Sequence, residues 1–71
     1  MKSDSKIKKL ARDTAHNLVD SEIWSNETAF SFMGEIEGFI GRGKNEEALS
    51  MVETYAREAI PEEEVKRRLS E

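Results

Sequence analysis

Residues 38–45 read Gly-Phe-Ile-Gly-Arg-Gly-Lys-Asn: a glycine, four residues, a second glycine and a lysine. Nucleotide hydrolases cradle phosphate with this spacing, because successive backbone amides and the lysine surround the anion while a hydroxyl on the next residue holds magnesium. Asn45 stands where that hydroxyl belongs. The loop also has to be delivered by a buried strand, whereas the residues before it carry apolar side chains at helical spacing. A chain of 71 residues is too short for the parallel sheet that such a strand belongs to. The same residues are better read as a turn, in which Gly41 or Gly43 ends one helix in the left-handed conformation and Asn45 caps the next. Lys44 is then an exposed turn residue with no phosphate to hold.

Other chemistry is sparse. The chain has no cysteine, which removes disulfides and thiolate metal sites and fits a reducing compartment. His16 is the only histidine and projects away from the apolar stripe around it, so it has no partner for a metal site. Glu62, Glu63 and Glu64 are consecutive and point in different directions on a helix, and each lies four residues before Lys66, Arg67 or Arg68. They read as a solvated, internally paired surface rather than a metal cluster. The serines fall at caps or exposed positions, and none has a base at helical spacing in an apolar setting. No catalytic set, metal site or cofactor loop is expected, and the chain is not read as an enzyme.

The elements that position these residues are helices throughout. All four glycines, Gly34, Gly38, Gly41 and Gly43, cluster in the middle, and Pro61 is the one proline. Ile7, Leu10, Ala11, Thr14, Ala15 and Leu18 recur at three- and four-residue intervals and predict a first helix over about residues 4–20, with Ser3, Asp4 or Ser5 as its cap. The connector "DSEIWSNET" turns Ile23 and Trp24 inward. Ser25 or Asn26 caps a second helix over about 26–40, with Trp24 as a hydrophobic staple on its first turn. Ala29, Phe32, Met33, Ile36, Phe39 and Ile40 form its core face. A third helix, over about 45–59, buries Ala48, Leu49, Val52, Tyr55, Ala56 and Ala59, a stripe widened by Met51 and Ile60. Pro61 stops it and opens a short charged helix over about 61–69, docked by Val65 and Leu69. The expected fold is all-α, a small bundle of three amphipathic helices plus a short C-terminal one, in a single domain spanning residues 1–71.

The formal charge is −4 but is unevenly distributed. Lys2, Lys6, Lys8, Lys9 and Arg12 outnumber Asp4, Asp13 and Asp20 in the first helix, and the rest of the chain is net acidic. The N-terminal residues are charged throughout and lack the apolar run of a signal peptide or membrane span, so a soluble, cytoplasmic protein is expected.

Two features exceed an ordinary solvated surface. Lys2, Lys9, Arg12 and His16, with Lys8 on the flank, form a basic stripe on the back of the first helix. Ser31, Gly34 and Gly38 lie on the second helix away from its core face, with Phe30 at the margin. A glycine inside a helix costs about 1 kcal/mol relative to alanine, so two in one short helix call for a reason such as close approach of another backbone. These residues predict a small acidic protein–protein interaction module: a regulator, inhibitor or adaptor that binds a larger protein, of the kind common among bacterial and phage accessory proteins. A homodimer through the second helix is the expected self-association. The alternatives are a nucleic-acid-associated regulator using the basic stripe, and a structural subunit of a larger assembly.

Overall fold

The computed structural model describes the backbone of residues 2–70 and the side chains of residues 4–70. The chain forms α1 (Lys2–Asp20), α2 (Asn26–Gly41), α3 (Asn45–Ala59) and α4 (Glu62–Ser70). Helices α1, α2 and α3 pack against one another, and α4 lies across α1 and α3 without reaching α2. The stripes read from the sequence are the ones that close the core. Ile7, Leu10, Ala11 and Ala15 of α1 meet Phe32 and Ile36 of α2 and Ala48, Val52 and Ala56 of α3, and Ile60 and Val65 complete the cluster toward α4. Four of these positions are alanine, which lets α1 and α3 approach closely.

The turns explain where the helices end. After α2 the Lys44 amide donates to the Phe39 carbonyl at 2.8 Å and the Gly43 amide to that of Ile40 at 3.0 Å. Gly43 has a φ of +77°, as a left-handed helix terminus of this kind requires. The segment before it is helical, so the phosphate-loop spacing is carried by a helix and its C-terminal turn, with Lys44 Nζ 4.0 Å from the Glu47 carboxylate. After α1 the same pattern recurs: Ile23 donates to Leu18 and Glu22 to Val19, both at 2.9 Å. Here the left-handed position, with a φ of 63°, is held by Glu22. A non-glycine side chain in that conformation is strained, and no residue type in the sequence signals it.

Several local expectations are corrected. Helix α1 already includes Lys2, so Ser3, Asp4 and Ser5 lie inside its first turn and do not cap it. Asn45 does not cap α3: Lys44 holds that place without a side-chain bond, because the turn that ends α2 runs straight into α3. The Asn45 side-chain amide instead donates to the Asp4 carboxylate, tying the start of α3 to the start of α1. Ile23 does not face inward; it is 61% exposed. Ser25 does cap α2, accepting from the Thr28 amide at 3.2 Å. Trp24 reaches past the first turn it was expected to staple. Its ring meets Phe32 at 5.0 Å and Tyr55 at 5.3 Å, and those two rings lie 5.5 Å apart, all edge to face. Ile60 is extended ahead of Pro61, as a residue before proline must be, and α4 begins one residue later than expected, with the Val65 amide donating to the Pro61 carbonyl.

Candidate functional site

On α2 the core face is held by Phe32 and Ile36, and about 100° of rotation per residue carries Phe30 to the side of the helix. Phe30 is 82% exposed. Beyond it lie Ser31, Gly34 and Gly38. A methyl group added at Gly34 would meet nothing within 4 Å, and one at Gly38 would meet only the Arg42 guanidinium at 3.9 Å. Among the described residues α4 does not reach α2, and Arg42 is the neighbour that comes against this strip, at Gly38. The glycines are therefore not required by packing inside the molecule, and their cost to the helix has no internal return.

The basic stripe of α1 is divided by the structure. Arg12 and His16 lie on the edge of α1 that borders α2, and with Ala15 and Val19 they form one bank of a groove of about 240 Å³. The opposite bank is Asn26, Ala29, Phe30 and Met33 of α2. Two features that were separate in the sequence, the exposed phenylalanine and part of the basic stripe, thus border one groove. Lys8 is exposed one turn before Arg12 on the same edge. Lys9 goes to the other side, where it joins Lys6, Glu64, Arg67 and Arg68 in a groove between α1 and α4. The side chain of Lys2 lies outside the described residues.

In the α1–α4 groove the two arginines have internal partners. Arg67 and Arg68 both donate to the Glu64 carboxylate, the latter through Nε at 3.0 Å, and Arg68 also donates to Asp13 of α1. The guanidinium of Arg67 first, and that of Arg68 second, hold the Glu64 carboxyl down at about 2. The pairing of Glu64 with Arg68 was legible from helical spacing. The link to Asp13 was not, since it joins residues 55 apart in the chain.

Among the described residues no three His, Asp or Glu side chains gather so that they could hold a metal ion, and no helix is long and apolar enough to cross a membrane. Compared with known proteins, the chain matches no family model, no curated protein and no solved structure.

Proposed function

We propose that the protein is a small helical interaction module that acts as a regulator, inhibitor or adaptor by binding a larger protein through the outer side of α2. The observation that carries this reading is Phe30: a large apolar ring left 82% exposed beside an uncovered glycine strip, in a helix whose other face is fully engaged in the core. Exposed aromatic side chains are effective anchors at interfaces, because they bury a large area at little conformational cost. The test is affinity capture from cells that make the protein, comparing wild type with Phe30→Glu. A specific protein retained by wild type and lost with Phe30→Glu is expected, with circular dichroism unchanged. Equal retention by both would remove Phe30 from the reading.

A second reading, association with nucleic acid, draws on Lys6 and Lys9 facing Arg67 and Arg68 across the α1–α4 groove. It is weakened by Glu64 and Asp13, which already engage Arg68. If phosphates bind there, affinity for duplex DNA should fall linearly with the logarithm of salt concentration and be lost in the Lys6→Glu, Lys9→Glu double variant.

A further inference from the structure

The groove between α1 and α2 has a composition that distinguishes it from three other grooves on the surface. The α2–α3 groove is rimmed by Glu27 and Glu35, the α1–α4 groove contains Glu64, and the groove along α3 has Glu46 and Glu53. No carboxylate lines the α1–α2 groove. On a protein with 15 acidic and 11 basic residues, this is an apolar trough with a cationic edge. Its floor and one bank are Ala15, Val19, Ala29, Phe30 and Met33, and Arg12 and His16 stand on the other. Lys8 and Arg12 lie four residues apart on this edge of α1, so the positive charge runs along the helix rather than sitting at one point.

We infer that this groove docks an acidic amphipathic helix of the partner protein, whose apolar side chains pack on Phe30, Met33 and Val19 while its carboxylates line up with Lys8 and Arg12. The inference rests on the reading of the protein as an interaction module and specifies the partner's chemistry. Three observations select this occupant. At about 240 Å³ the groove is smaller than the roughly 300–1,000 Å³ of small-molecule sites, and so suits a side-chain anchor rather than a metabolite. Its lining runs from Arg12 to Val19 on α1 and from Asn26 to Met33 on α2, about two turns of each helix, as helix-in-groove recognition requires. A second copy meeting the same patch about a two-fold axis would bring no carboxylate to Arg12, because none lines the groove.

The test titrates the intact protein with three synthetic peptides, followed by the NMR signals of Ala15, Val19, Phe30 and Met33. One is an amphipathic helix of leucine and glutamate, the second has the same composition scrambled so that no apolar face forms, and the third replaces glutamate with lysine. Saturable binding of the first alone is expected, with shifts at those residues and affinity falling as salt rises. Arg12→Glu should weaken it at least about tenfold and turn the preference toward the lysine peptide, as expected for close charge pairs at an interface. Phe30→Ala should weaken the glutamate peptide without turning the preference toward lysine. Arg12 and Phe30 are exposed, so an unchanged melting temperature verifies that the variants are folded. Absence of saturable binding, equal binding of the scrambled peptide, or indifference to Arg12→Glu overturns the inference. So does a concentration-dependent shift of the same signals without peptide, which assigns the groove to a second copy. A captured partner that depends on Phe30 but not on Arg12 would leave the interaction module standing and remove only the acidic helix.

Discussion

Phe30 and Phe32 are the same residue type two positions apart on one helix, and they meet opposite surroundings. Phe32 is 3% exposed and takes the ring edges of Trp24 and Tyr55; Phe30 is 82% exposed and borders an open groove. Two steps along an α-helix swing a side chain through about 200°, which is enough to carry it from the core to solvent. The comparison shows that α2 is anchored by one face only. Its position is fixed by Phe32 and Ile36, so the residues on its other side can change without moving the helix. That separation is what an interaction surface needs, since the demands of folding and of binding then fall on different residues.

The strongest way to break the comparison is to truncate each ring in turn. Phe32→Ala should cost about 3–5 kcal/mol, a loss comparable with the whole stability of a domain this small, and urea denaturation should find the chain unfolded or nearly so. Phe30→Ala should change stability by no more than about 0.5 kcal/mol. A loss at Phe30 approaching that at Phe32 would mean that Phe30 is covered in solution.

A smaller effect sharpens the same contrast on the glycine strip. Gly34→Ala adds a methyl group into open space and should raise stability by close to 1 kcal/mol, seen as an increase in melting temperature. If the partner lies on the strip, the same variant should be more stable and yet captured less well. A variant that is less stable would reveal a neighbour against this side of α2.

The smallest effect at neutral pH is expected at Glu64, whose contacts are made close to water. Its folded carboxyl, held at about 2 by Arg67 and Arg68, lies below the ordinary glutamate value of about 4.3. The contribution it makes to stability is therefore present above that ordinary range and is lost as pH falls through it toward about 2. Glu64→Gln should lower the melting temperature slightly at neutral pH, flatten its fall with acidification in that window, and converge on wild type as pH approaches about 2. A variant with the wild-type acid profile would show that the network does not hold in solution.

The amphipathic stripes were legible because helical spacing alone decides which residues share a face, and every position named for the core of α1 is buried. A left-handed turn at Gly41 or Gly43 was legible because glycine is the residue that adopts it without strain, and the structure puts it at Gly43. Its counterpart at Glu22 was not, and the outward turn of Ile23 was missed with it, because the hydrogen bonds to Leu18 and Val19 fix that backbone regardless of side chain. Asn45 was misread because its residue type fits a cap, whereas its partner Asp4 lies 41 residues away. On the candidate surface, Phe30 and the strip could be placed from α2 alone. The division of the basic stripe could not, since it depends on α2 and α4 flanking α1 on different sides.

Among the described helices α1 and α3 each touch the other three, and the early place of α1 in the chain has a consequence for how the protein is made. Synthesis delivers α1 before its neighbours, so Ile7, Leu10 and Ala11 must wait in water until the later helices arrive to cover them. The link from Asp13 to Arg68 spans 55 residues and cannot form until α4 has been made. An isolated α1–α2 hairpin would leave α1 open on the side that α3 covers. The protein should therefore acquire its structure in one late, cooperative event, and a nascent chain halted before α3 would be a sticky helix pair and a ready target for chaperones.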